Sequence, residues 1–543
     1  MNRPRGSNSG ALWLTLALVV LASLAIRVRL LDVPLERDEG EYAYVAQLLL
    51  DGVPPYQQAY TMKFPGVALA YAPFVASLGP QPAAVRASML CVNALSILLL
   101  FLLARRLFGA ETALAAAASY ALLAVGRGPQ GIYANTEHFV MLFALAGLTL
   151  LLSARERRSL AGIFASALLL GVAILMKQHG AVFAAFGGLL MLGGRAGLPG
   201  PRVRPAQLWI FALGVGLPLG LLCGWIAWQG EWQRFWFWSF VYAREYMGFV
   251  SPEEALGFAS YGFAEAAGSA PLLWALAAVG LADSLRSRER ARSRAFLWGF
   301  TLTSVLALSL ALRFRPHYFL FLLPAVATWA ALGARALGEA LCRWVPRLRV
   351  GVASASLLGI AILGGLYTDA GYLFEMGPNE VSAANFGTHP FPEALSLGRW
   401  LRESSNREDR IAVLASEPEI YFYADRPSAT PFLYMTEILR RFPSATGLQR
   451  ELVSQLEAQP PRYLVFSSSF DPFARPEGFR RAPGLSQWIR EAVASAYRRV
   501  GVLEVRRGEA SRERWGPAAT APPRSDNWLT VYERVTATPL RPR

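Results

Sequence analysis

Apolar residues gather in long runs separated by short polar turns, and the pattern holds to about residue 370. The first run, Ala11 to Ile26 and on to Leu30, is long enough to cross a bilayer, for which about 20 residues suffice. Further runs lie at 87–103, 112–126, 138–153, 160–176, 180–193, 206–228, 269–285, 295–312, 317–338 and 350–369, about eleven spans in all. The run Gly66 to Leu78 is too short to span. Read as a re-entrant or surface helix, it leaves Arg105-Arg106, Arg155–Arg158, Arg195–Arg204, Arg286–Arg294 and Arg335–Arg349 on the cytoplasmic side, together with Arg3 and Arg5. Read as a span, it would invert that basic-inside pattern. Arg27 and Arg29, near the outer end of the first run, go against it.

From about Glu375 the long runs stop. Short β-rich runs (Ile411–Leu414, Tyr463–Phe466, Val500–Val505, Trp528–Tyr532) alternate with helical patterns (Pro392–Glu403, Leu448–Glu457, Leu485–Tyr497). The pattern predicts a small α/β domain, outside the cytoplasm by the parity of the spans. Ala415 to Tyr423 reads as a strand-to-helix corner with a capped helix start. Arg507 to Pro523 reads as a flexible insertion. The predicted fold is therefore mainly α: a polytopic membrane helical bundle over 1–374, followed by an extracytoplasmic α/β domain over 375–543.

Composition agrees: 54% of the 543 residues are hydrophobic and 17% charged, too apolar for an ordinary soluble enzyme of this length. The net charge of +15 does not point to nucleic acid, because most Lys and Arg before residue 350 sit in turns between spans, where they set orientation. Cys91, Cys223 and Cys342 lie in or beside apolar runs, which suits packing better than disulfide or zinc chemistry. Ala22 to Ala25 is a weak signal-cleavage site, and the many later spans favour a retained first helix.

Candidate chemistry begins in the first outer loop. Arg37, Asp38, Glu39 and Glu41 crowd the start of a helical pattern, and Lys63 follows before Phe64-Pro65-Gly66. Carboxylates and a lysine at a membrane surface suit an acceptor hydroxyl and a phosphate. Equally, acidic residues favour the first turn of a surface helix. The stretch DEGEYAYVAQLLLDGVPPY followed by KFPG resembles the first outer loop of GT-C membrane glycosyltransferases, in particular bacterial relatives of the protein O-mannosyltransferases and the lipid A aminoarabinose transferase. The resemblance implies a sugar donor on a polyprenyl-phosphate carrier, Asp38 (with Glu39 beside it) at the acidic catalytic position, and Lys63 on the carrier phosphate. Where the aminoarabinose transferases carry an acidic residue before that lysine, this chain has Met62.

Sorting polar residues by side adds a second set on the outer face: Glu137 and His138, Lys177 and His179, Arg313, Arg315, His317 and Tyr318. Ionisable groups at membrane depth are expensive and mark function. Thr136-Glu137 also fits a helix start, and Lys177 also fits an interfacial turn. Two arginines outside oppose the orientation bias, and a phosphate partner is the simplest reason for them. The aromatic-dense loop Gln229–Gly268 reads as a membrane-lying helix or as a wall for the lipid chain.

The expectation is a hexosyl- or pentosyltransferase moving a sugar from a polyprenyl-phosphate carrier to a lipid, glycan or protein acceptor, on the outer face of a bacterial inner membrane. Cofactor needs are open, with room for a divalent metal, and neither a Walker A nor a dinucleotide fingerprint is present. The rival functions are a transporter or lipid-carrier flippase, and a scaffold; paired repeats, common among transporters, are not evident.

Overall fold

The computed structural model describes residues 9–192, 204–248, 250–286, 290–439, 443–473, 475, 479–480, 482–506 and 509–535. Arg3, Arg5 and most of the turn Arg195–Arg204 lie outside the described residues. The chain packs as two compact units, one built from 1–31, 86–224 and 250–376, the other from 32–85, 225–249 and 377–543.

The long apolar runs are helices that lie in the first unit, apart from the opening residues of the second and the closing residues of the seventh: Ser9–Arg29, Pro82–Phe108, Ala110–Leu123, Thr136–Glu156, Leu160–Met176, Gly180–Leu192, Pro205–Trp228, Pro271–Arg286, Ala291–Ser309, Leu323–Trp344 and Val350–Thr368. Five of them are long and apolar enough to cross a membrane, and Pro252–Gly268 with Pro271–Arg286, bent by 107°, would make a sixth. The expected start near residue 317 moves to Leu323, because Pro316–Phe321 forms a 3-10 turn and Pro324 opens the helix, where a missing N–H is harmless. Close packing between helices relies on small residues. A Cβ on Gly333 would meet the Leu276 carbonyl oxygen at 1.9 Å, and one on Gly280 that of Trp329 at 2.2 Å.

The two arginines that oppose the charge bias have inward partners. Arg27 is buried and donates to the carbonyls of Ala124 (2.7 Å) and Gly131 (3.0 Å). Arg29 donates to those of Leu373 (3.1 Å) and Met376 (2.7 Å).

The second unit is built on a five-stranded sheet in the order β1-β2-β5-β3-β4, with β1 Ile411–Leu414, β2 Tyr463–Ser467, β3 Tyr497–Val505, β4 Arg512–Trp515 and β5 Asn527–Arg534. β1 and β2 are parallel, and the other pairs are antiparallel. Strand β4 corrects the reading of 507–523 as an insertion: Arg512–Trp515 pairs with Gly501–Glu504, the polar side chains standing on an exposed sheet edge. Helices Arg37–Leu50 and Gly66–Leu78, from the first loop, pack within this unit.

Candidate functional site

Of the chain's 53 lysines and arginines, two are lysines, Lys63 and Lys177, so a lysine marks a departure from the chain's own habit. Each sits on a buried glutamate and over a tyrosine ring.

In the second unit, helix Arg37–Leu50 starts with a capping box: the Glu36 carboxylate accepts from the Glu39 N–H, and the Glu39 carboxylate from the Glu36 N–H, both at 3.1 Å. Glu39 is fully buried and serves this cap. Asp38, one residue earlier, is turned 100° around the helix, and its side chain is 33% exposed. Gly40 is required by packing, since a Cβ there would meet the backbone and Cβ of Glu419 at 2.5 to 2.6 Å.

Lys63 Nζ lies 2.9 Å from Asp38 Oδ1 and 2.7 Å from Glu41 Oε2, over the Tyr42 ring at 4.6 Å. Its backbone is pinned on both sides. The N–H donates to Thr61 Oγ1 (3.1 Å), and the carbonyl accepts from the Tyr56 hydroxyl (2.8 Å), Tyr56 being in the left-handed region at φ 69°. Burial works against the ammonium, but the Asp38 and Glu41 charges outweigh it and hold Lys63 well above the usual lysine range. Glu41, 2% exposed at its side chain, also accepts from Thr61 Oγ1 and from the Tyr434 hydroxyl. Sequence reasoning gave Glu41 no role of its own and missed Tyr434. Glu41 stood in view within the acidic crowd, whereas 393 residues separate it from Tyr434.

Around this cluster, Arg37 pairs with Glu417 (3.4 Å) and donates to the Ser416 carbonyl. Burial and the neighbouring Glu417 push the Glu419 carboxyl well above the usual range. Burial, then Asp38 and Glu39, do the same to Glu36. The aromatic segment divides by face. Phe235, Trp238 and Tyr242 are buried against Tyr56, Tyr60, Phe64 and one another, while Trp232, Trp236 and Phe240 form an exposed ladder. Among the described residues no three His, Cys, Asp or Glu side chains are grouped to hold a metal, and the cation between Asp38 and Glu41 is the Lys63 ammonium.

In the first unit, Glu137 is fully buried and pairs with Lys177 at 2.5 Å. Lys177 Nζ stands 4.2 Å over the Tyr318 ring, and the His179 ring lies 5.8 Å from Phe321 and 5.9 Å from Tyr318. His317 Nδ1 is 3.1 Å from Gln130 Oε1 and its ring 4.9 Å from Tyr318. The structure thus joins Glu137, Lys177, His179, His317 and Tyr318, residues spread over three sequence segments. His138 is buried beside Glu137 in the chain. Arg313 is half-buried between Leu312 and Phe314, both at positive φ, and Arg315 is exposed.

Residues 64–215 match the sequence model described as dolichyl-phosphate-mannose-protein mannosyltransferase. The fold is shared with ArnT from Cupriavidus metallidurans bound to undecaprenyl phosphate, at 16% identity and a TM-score of 0.58, over 97% of this chain and 98% of that one. It is shared also with the archaeal oligosaccharyltransferase AglB from Archaeoglobus fulgidus, solved with an inhibitory peptide and a dolichol-phosphate, at 13% identity and a TM-score of 0.54, over 92% of this chain and 74% of that one. No curated protein matches in sequence. The chain therefore resembles the GT-C membrane glycosyltransferases, in sequence over 64–215 and in fold over nearly its whole length.

Proposed function

We propose that the chain is a glycosyltransferase that moves a sugar from a polyprenyl-phosphate carrier to an acceptor hydroxyl, working in a bacterial inner membrane with its C-terminal domain outside the cytoplasm. The observation that carries this reading is the Asp38–Lys63 pair: an accessible carboxylate and an ammonium 2.9 Å apart. In the transfer, the bond from the anomeric carbon to the phosphate oxygen breaks as the acceptor oxygen bonds to that carbon, through an oxocarbenium-like state. The phosphate departs with the electron pair, and a cation stabilises it. The acceptor proton goes to a base.

The pair suits an exchange of partners. Lys63 is held by Glu41, which is buried, and by Asp38, which is accessible. An arriving phosphate competes with the accessible partner. As the ammonium turns to phosphate, Asp38 is left with an oxygen to take the acceptor proton. In the first unit, Glu137, Lys177, His179, His317 and Tyr318 offer donors and acceptors of the kind sugar hydroxyls need, and Arg313 and Arg315 offer anion contacts.

The test is reconstitution of the purified protein with polyprenyl-phosphate sugars and candidate acceptors, following release of polyprenyl phosphate. Release that depends on Asp38 and Lys63 is expected. Movement of the lipid across the bilayer with no release would establish the flippase instead.

A further inference from the structure

Glu41 is a nearly buried carboxylate with three donors, and their origins differ. Thr61 donates to Oε1, while Lys63 (2.7 Å) and the Tyr434 hydroxyl (2.6 Å) share Oε2. Thr61 and Lys63 belong to one turn of the first loop; Tyr434 comes from the C-terminal segment. The position of Tyr434 is fixed from both directions. Met435 N–H donates to the carbonyl of Ala415, just after β1 (2.8 Å), and Pro431 accepts from the Tyr60 N–H of the loop (2.7 Å). Phe432 packs edge-on against Tyr60.

We propose that Tyr434 is a positioning residue that acts through Glu41 to set how firmly Lys63 is held, making the C-terminal domain part of the apparatus that presents Lys63. This rests on the reading of Lys63 as the group that meets the carrier phosphate. Two donors on one oxygen compete for its charge, so the tyrosine hydroxyl loosens the grip of Glu41 on the ammonium. Without that hydroxyl, Glu41 holds the lysine more tightly and a phosphate must pull harder to engage it. Burial and the Glu41 charge hold the Tyr434 hydroxyl well above the usual tyrosine range, so it remains a donor at working pH.

The experiment uses the full chain in detergent, an amine-acylating reagent and mass spectrometry, with Lys177, the other lysine, as the internal reference for an intact fold. Tyr434→Phe is expected to slow acylation of Lys63 several-fold with Lys177 unchanged, and Glu41→Gln to speed it. In the Glu41→Gln background, Tyr434→Phe should change nothing further. An unchanged Lys63 rate in Tyr434→Phe, or an equal effect of that substitution in both backgrounds, overturns the proposal. A changed rate at both lysines reports a general loss of packing and overturns it too. Undecaprenyl phosphate added to the wild type tests the underlying reading separately: protection of Lys63 supports the phosphate role. Absence of protection removes that role while the Tyr434–Glu41 coupling is still read out.

Discussion

Lys63 reaches Asp38 across 25 residues of sequence, Nζ to Oδ1 at 2.9 Å, with the carboxylate the more exposed of the two. The ammonium therefore has one partner that solvent and ligand can displace, Asp38, and one they cannot reach as easily, Glu41. That asymmetry makes the two ends of the pair separable by mutation.

Lys63→Ala removes the cation and should weaken binding of polyprenyl phosphate by about ten- to a hundredfold, the scale of a charge-assisted hydrogen bond worth roughly 1.5 to 3 kcal/mol. Direct binding of undecaprenyl phosphate to the purified variant measures this. Equal affinity in wild type and variant would take the phosphate away from Lys63.

Asp38→Asn keeps the shape and loses the proposed base, so transfer should fall by roughly a hundredfold or more while donor binding survives. Glu39→Gln answers differently. Its carboxylate sits in the capping box, where an amide oxygen can still accept from the Glu36 N–H, so transfer should remain near normal and stability should drop by about 1 kcal/mol or less. A dead Glu39→Gln beside an active Asp38→Asn would move the proposed catalytic role one residue along.

Gly40→Ala should be costly although alanine is the better helix former. The new methyl meets Glu419 at 2.5 Å, backbone included, so the helix must shift; overpacking of this kind costs about 1 to 3 kcal/mol. Thermal unfolding should show the loss, with lowered activity as the neighbouring Asp38 and Glu41 move. Wild-type stability in Gly40→Ala would mean that the contact between helix Arg37–Leu50 and Glu419 is loose in solution.

Glu419→Gln tests the buried carboxyls by pH. Burial and Glu417 raise the Glu419 pKa well above 4.5, so the folded state favours its protonated form. Such a group contributes stability that is full below the unfolded value and lost as pH rises through the folded one. Glutamine mimics the protonated form. The variant should therefore be more stable than wild type at neutral and alkaline pH, with the gap closing as pH falls towards 4.5. A gap constant across that window would show that Glu419 does not titrate with folding.

The apolar runs were legible as helices because an apolar stretch satisfies its own backbone most readily that way, and five of those helices are long and apolar enough to cross a membrane, fewer than the eleven spans expected. The sheet domain was likewise legible at β1, β2, β3 and β5 from short runs rich in β-branched and aromatic residues. Strand β4 was not, since RERW on a sheet edge carries no apolar alternation and gains its place from pairing with β3. Asp38, Lys63, Glu137 and Lys177 could be singled out from the chain, charge in apolar surroundings being a local signal. How they pair could not. That Glu39 caps while Asp38 faces Lys63 depends on where the helix starts; that Tyr434 shares an oxygen with Lys63 depends on a contact spanning 393 residues. Periodicity and composition act over a turn or a span, so the sequence determined the elements. Hydrogen bonds a few ångströms long between distant segments decided the sites, and those exist once the chain has folded.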